Sequence, residues 1–203
     1  MASTRCNRNQ IMDAAERLFG ERGYGNVTIG QLCAASGLPV GSIYHHFGSK
    51  AGVLKAVLRR GTAEFFASMP SADAAAGSPV ERLAAYHAVA GELIAGRLQL
   101  FRLLASLQLQ QADGEVQAIL REENARAITE VVAFIEPVAV SAGVPDAAEC
   151  ARELAALSVV FTTGLVTCVE STGIDVRTAV RSCLNRLVVA SVLNRAAAAP
   201  TGR

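Results

Sequence analysis

Between Thr28 and Lys50 the chain gathers hydroxyls, a phenol, two imidazoles and an ammonium: Thr28, Ser42, Tyr44, His45, His46 and Lys50. Polar, planar and hydroxylated groups of this kind contact phosphates and base edges. Tyr44 is expected to give its hydroxyl to a phosphate, with its ring braced against the neighbouring helices. Lys50 is expected to meet a second phosphate. Thr28 serves as a helix cap and brings a helix N-terminus to the backbone. His45 and Ser42 are the expected base readers, and Arg5 and Arg8 an arm that follows the phosphates.

The elements that must position these groups are two short helices and a tight turn, the geometry that sets a helix into the DNA major groove. Thr28 stands three residues before Gln31, the spacing of a capping box. Ser36-Gly37 ends the first helix, since glycine tolerates the left-handed conformation needed just past a C-terminus. Pro39 suits the start of the second, where its missing N–H costs nothing. Ile43 and Phe47, at i and i+4, turn one face to the core and leave Ser42, Tyr44, His45 and His46 opposite it. Ile11, Ala14, Ala15, Leu18 and Phe19 give a preceding amphipathic helix, ended by Gly23.

This stretch resembles the tetracycline-repressor (TetR) family of bacterial transcription regulators. The resemblance rests on Gly23-Tyr24, Thr28-Ile29, Ala34-Ala35-Ser36-Gly37, Gly41-Ser42-Ile43-Tyr44-His45-His46-Phe47 and Ser49-Lys50. Gly30 and Val40 depart from the pattern, standing where family members often carry a charged or basic residue, which leaves fewer phosphate contacts. The resemblance implies a dimer made by a four-helix bundle from the last two helices of each protomer.

Composition agrees with a helical protein. Apolar residues form 51% of the 203, enough for a sizeable core, and aromatics only 5%, which favours helices over sheets. The net charge of +1 hides an asymmetry. Residues 1–60 hold eight Lys/Arg against three acids, and the rest eleven against fifteen, a basic module ahead of an acidic body. The five cysteines are odd in number and widely spaced, and read as buried reduced thiols of a cytosolic protein. With the three histidines they form no ligand cluster, so neither metal nor cofactor is expected. The first residues lack an apolar run, so a secretory leader is not expected.

Beyond Lys50 the pattern predicts helices over 50–69, 79–95, 98–110, 115–136, 146–171 and 174–194. Pro137 is expected to stop the fourth of these, and loops to fill 70–79 and 141–145. The expected fold is therefore all-α, about nine helices. A three-helix DNA-binding domain occupies 1–49, a ligand-binding and dimerisation domain 50–195, and a disordered tail 196–203.

From Leu154 to Val169 there is no charged residue, and a helix apolar all round needs cover on every side. The run is shorter than the ~20 residues of a membrane span, and Ser158, Thr162, Thr163 and Thr167 dilute it, so no membrane partner is expected. Leu165, Leu184, Leu187 and Val188 are the expected dimer contacts, since isologous dimers bury matching patches. His87, Arg102, Thr163 and Thr167 are the candidate ligand contacts, with Arg97, Gln99, Gln108 and Gln111 nearby in sequence.

No Gly-x-Ser-x-Gly elbow, phosphate-binding loop, dinucleotide fingerprint or His-Glu-x-x-His is present, and Glu122-Glu123 reads as a solvated pair, so an enzyme is not expected. The expected function is that of a cytoplasmic, homodimeric regulator, a repressor. It binds a palindromic double-stranded DNA operator and is released by a small, largely hydrophobic effector. The alternative is an all-α ligand carrier or interaction protein with weakened DNA binding, which a gel-shift against its own upstream DNA separates from a regulator.

Overall fold

A computed structural model describes residues 2–71, 77–109 and 114–198, with side chains from residue 6 onward. Among the described residues the chain is helical throughout, without a strand. The helices are α1 (Ala2–Arg22), α2 (Ile29–Ser36), α3 (Val40–Phe47), α4 (Lys50–Ala67), α5 (Pro79–Gly96), α6 (Leu98–Leu109), α7 (Gly114–Ser141) and α8 (Ala147–Thr172). The last, α9, is α-helical over Val176–Thr178, π-helical over Ala179–Leu184 and α-helical again over Asn185–Ala198. It runs past Ala196, where a tail was expected; residues 199–203, Gln111 and the Arg5 side chain lie outside the described residues.

The chain forms two compact units, Met1–Glu64 with Gln99–Glu123 and Phe65–Leu98 with Asn124–Arg203. In the first, α1 contributes Ile11, Met12, Ala15, Leu18 and Phe19 to one core with Leu32, Ile43, Leu54, Leu58, Leu100, Leu103, Leu107 and Leu120. Full burial of each large aliphatic or aromatic side chain stabilises by ~1.5–3 kcal/mol, which anchors the short helices α2 and α3 that could not persist alone.

In the second unit α5 packs along α9, and α9 against α8. Ser78 caps α5 through a reciprocal box with Glu81, and Asp175 caps α9 by accepting from the Thr178 N–H at 3.0 Å. Helix α7 continues through Pro137 to Ser141 rather than stopping before it. A mid-helix proline costs ~3 kcal/mol. Phe134 and Ile135 before it, and Val138 and Ala139 after it, are all buried, and that apolar anchoring on both sides outweighs the cost.

Helix α8 matches the expected 146–171 to within one residue at each end. By length and composition it could cross a membrane, with a mean hydropathy of 1.6 over its most apolar window. Only 22% of that window is buried in the unit.

Candidate nucleic-acid interface

The helix-turn-helix is built by local hydrogen bonds that the residue types dictate. The Gln31 N–H donates to Thr28 Oγ1 at 3.3 Å, and the Thr28 N–H donates to Gln31 Oε1 at 2.9 Å, so two orphan donors at the α2 terminus are satisfied. Gly37, at φ 70°, donates its N–H to the Cys33 carbonyl and ends α2 in the left-handed region. The chain re-enters a helix after Pro39, and the Gly48 N–H closes α3 on the Tyr44 carbonyl at 2.9 Å. Ser49 Oγ then accepts from the Gly52 N–H at 2.9 Å and starts α4.

Ile43 is fully buried and Phe47 packs beside it, which fixes the rotation of α3. The outward arc consists of Val40, Gly41, Tyr44 and His45; Tyr44 is 53% exposed and Val40 50%. Ser42 and His46 are half-buried at the edges of that arc, so the expected polar face of four residues narrows to two at its centre. The His46 ring stands edge-on between His45, 5.1 Å away between centroids, and Phe47, at 6.1 Å.

Thr28 is exposed, its hydroxyl committed to the cap. Lys50 is half-buried: its Nζ donates to the Val27 carbonyl at 2.7 Å and lies 4.2 Å from the Tyr24 ring centroid. Val40 enters this face as a residue that the sequence reading registered only as a missing charge. Its helical spacing, one turn before Tyr44, is the signal that places it there.

Charge is distributed differently from the linear count. Arg60 pairs with Asp13 at 2.6 Å and Glu16 at 2.7 Å, and Lys55 with Glu122 at 2.8 Å, where Arg59 also binds. Glu122 and Glu123 are therefore not a solvated pair: Glu123 is 3% exposed and accepts from the Thr62 hydroxyl at 2.7 Å. With these acids included, the first compact unit holds ten Lys/Arg against eight Asp/Glu. Arg8 lies 5.3 Å from the centroid of the Phe47 ring. An open groove lined by Arg8, Asn9, Met12, Ala56, Arg59 and Arg60 thus carries guanidiniums that already have partners.

The candidate ligand residues are divided between the units: Arg102 belongs to the first, and His87, Thr163 and Thr167 to the second. The Thr163 hydroxyl donates to the Val159 carbonyl at 2.9 Å and that of Thr167 to the Gly164 carbonyl at 2.8 Å, both within α8. His87 is 1% exposed, with Nδ1 2.9 Å from Asn185 Oδ1 and Nε2 buried without a hydrogen bond. Burial pushes the His87 imidazole below its ordinary range against the raising effect of Asn185, so it is neutral at pH 7. Neighbouring Tyr86 stacks on Phe134, centroids 4.1 Å apart, and burial pushes its phenol well up.

Of the expected dimer contacts, Leu165, Leu184 and Val188 are buried within the second unit, and Leu187 is exposed. The outward apolar stripes are Leu157, Val160, Gly164 and Cys168 on α8, at i, i+3, i+7, i+11, and Cys183, Leu187 and Ala190 on α9, at i, i+4, i+7. Arg195 near the end of α9 bonds Glu153 near the start of α8, so the two helices run antiparallel. Cys6, Cys168 and Cys183 are exposed and only Cys150 is buried, which corrects the expectation of buried thiols. Among the described residues no group of His, Cys, Asp or Glu could hold a metal ion.

The family model described as "Bacterial regulatory proteins, tetR family" matches residues 11–57, the segment that forms this helix-turn-helix. Over this domain the chain is similar to TetR-family regulators. It is 38% identical over 78 residues to the HTH-type transcriptional repressor Rv1474c of Mycobacterium tuberculosis, covering 38% of this chain and 41% of that protein. It is 31% identical over 121 residues to the HTH-type transcriptional regulator BetI of Brucella canis, covering 56% and 58%. The chain thus spans about half the length of the curated relatives it matches. Solved structures share the all-α TetR-like fold. The fatty acid degradation regulator FadR of Bacillus halodurans has a TM-score of 0.74 at 19% identity, over 90% of this chain and 94% of that one. FadR of Bacillus subtilis, solved with stearoyl-CoA, has 0.73 at 20% identity, over 90% and 97%.

Proposed function

We propose that the protein is a homodimeric transcriptional repressor of the cytoplasm, which binds a palindromic operator and releases it on binding a small, largely hydrophobic effector. In this reading residues 1–49 bind DNA, and residues 50–195 dimerise and sense the effector. The observation that carries the reading is the outward arc of α3, where Val40, Tyr44 and His45 stand exposed on a helix whose rotation Ile43 fixes. That arc is complementary to a major groove, into which a recognition helix inserts its N-terminal residues. The relatives named as repressors and regulators support the same role.

The dimer reading rests on the apolar stripes of α8 and α9, where Leu157, Val160 and Leu187 stand exposed among the described residues. Tyr44 and Lys50 serve phosphates and His45 serves a base edge. The effector is expected to be mostly apolar with one or two polar handles, as helical-domain pockets are. Stearoyl-CoA, present in the Bacillus subtilis FadR structure, is the first probe.

The test is selection from a random duplex library with the full chain, followed by fluorescence anisotropy on the enriched duplex. Enrichment of a palindrome is expected. Tyr44→Phe should weaken binding at every sequence alike, and His45→Ala should alter which bases are preferred. Failure to enrich any duplex would leave the carrier reading in its place.

A further inference from the structure

We infer that Val40 is a specificity-determining residue that reads the 5-methyl group of a thymine in each operator half-site. The inference rests on the DNA-binding reading above and adds to it a base identity. Val40 opens α3, one turn before Tyr44 on the same outward stripe, and is 50% exposed. Within the first turn it is the exposed side chain: Gly41 has none, Ser42 is half-buried and Ile43 is buried.

Val40 has no donor for a phosphate. A β-branched side chain also has few rotamers, so little freedom is lost when it docks. The one apolar feature on the floor of the major groove is the thymine C5-methyl, and helix N-terminal residues are the ones that reach base edges there. The low charge of the unit fits this division of labour. With Arg59, Arg60 and Lys55 already paired to carboxylates, discrimination falls to contacts made at the bases.

Deoxyuridine removes that methyl and leaves every hydrogen-bonding group of the base pair in place. In the enriched duplex each thymine is replaced singly by deoxyuridine, and binding of the wild-type chain and of Val40→Ala is measured by anisotropy. For the wild type, one position per half-site should lose about fourfold in affinity, and both together about fifteenfold, the effect of one buried methyl or two. Val40→Ala should bind the thymine and deoxyuridine duplexes equally at that position, and Val40→Ile should restore the preference. Because Val40 is exposed, neither substitution touches the core.

A duplex that is enriched and bound, yet insensitive to deoxyuridine at every position, overturns the inference and leaves DNA binding standing. So does a deoxyuridine effect that Val40→Ala retains unchanged. A library from which nothing is enriched overturns both.

Discussion

Lys50 Nζ donates to the Val27 carbonyl at 2.7 Å and rests on the ring of Tyr24, joining the start of α4 to the turn before α2. The ammonium thereby serves the architecture of the domain before any phosphate arrives. Lys50→Ala removes a charged hydrogen bond at a half-buried site, worth about 1–2 kcal/mol after allowance for solvent. Urea denaturation should show that loss. Operator affinity should fall at all sequences alike, and the slope of log affinity against log salt should drop by less than the ~0.9 per half-site of a full phosphate contact. An unchanged denaturation midpoint would count against the bracing role.

Gly52 and Phe47 form a second tight relationship in the same domain. A Cβ on Gly52 would stand 1.9 Å from the Phe47 carbonyl oxygen, a backbone atom that cannot swing aside. Gly52→Ala must therefore push α4 away from the end of α3. Overpacking of this kind costs about 1–3 kcal/mol. The expected result is a lower melting temperature and weaker operator binding, with helical circular dichroism retained at low temperature. Wild-type stability in Gly52→Ala would show that the junction is slacker than this geometry.

Much of this domain is legible in the sequence because its determinants are local. Thr28 and Gln31 satisfy each other three residues apart, and Gly37 ends α2 by its own backbone conformation. What escapes the sequence depends on residues far apart. Glu122 and Glu123 look solvated until Lys55, Arg59 and Thr62 are brought to them, which also cancels part of the basic charge counted over residues 1–60. Pro137 looks like a stop until Phe134, Ile135, Val138 and Ala139 are seen buried around it. The π-helical stretch Ala179–Leu184 has no composition of its own. The extra residue it fits into a turn alters the facing of everything after it, and Asn185, next in the chain, meets His87.

His87 makes the second unit sensitive to acid. Its folded-state affinity for a proton is below the ordinary imidazole value near 6.5, because burial disfavours the charged form. The unfolded chain therefore binds the proton first. Above that ordinary value His87 contributes no pH dependence; as pH falls through it, stability is progressively lost. Denaturation midpoints from pH 8 to pH 5 should decline mainly below about pH 6.5. His87→Phe should flatten that decline, whatever its effect at pH 8. An identical decline in His87→Phe would assign the acid sensitivity elsewhere.

Leu184 and Leu187 are three residues apart on α9 yet differ in burial, 3% against 47% exposed. The same substitution should therefore fail in two different ways. Leu184→Arg places an unpaired charge in the core of the second unit, which costs several kcal/mol, and the chain should unfold or aggregate. Leu187→Arg places the charge on the outward stripe of α9, so a single chain should fold normally. If that stripe is the dimer surface, sedimentation should show folded Leu187→Arg monomers at concentrations where the wild type is dimeric. Operator affinity should fall with them, since a lone recognition helix makes half the contacts. Val160→Arg, on the facing helix, should reproduce the effect. Wild-type dimers in both variants would place the interface on another surface.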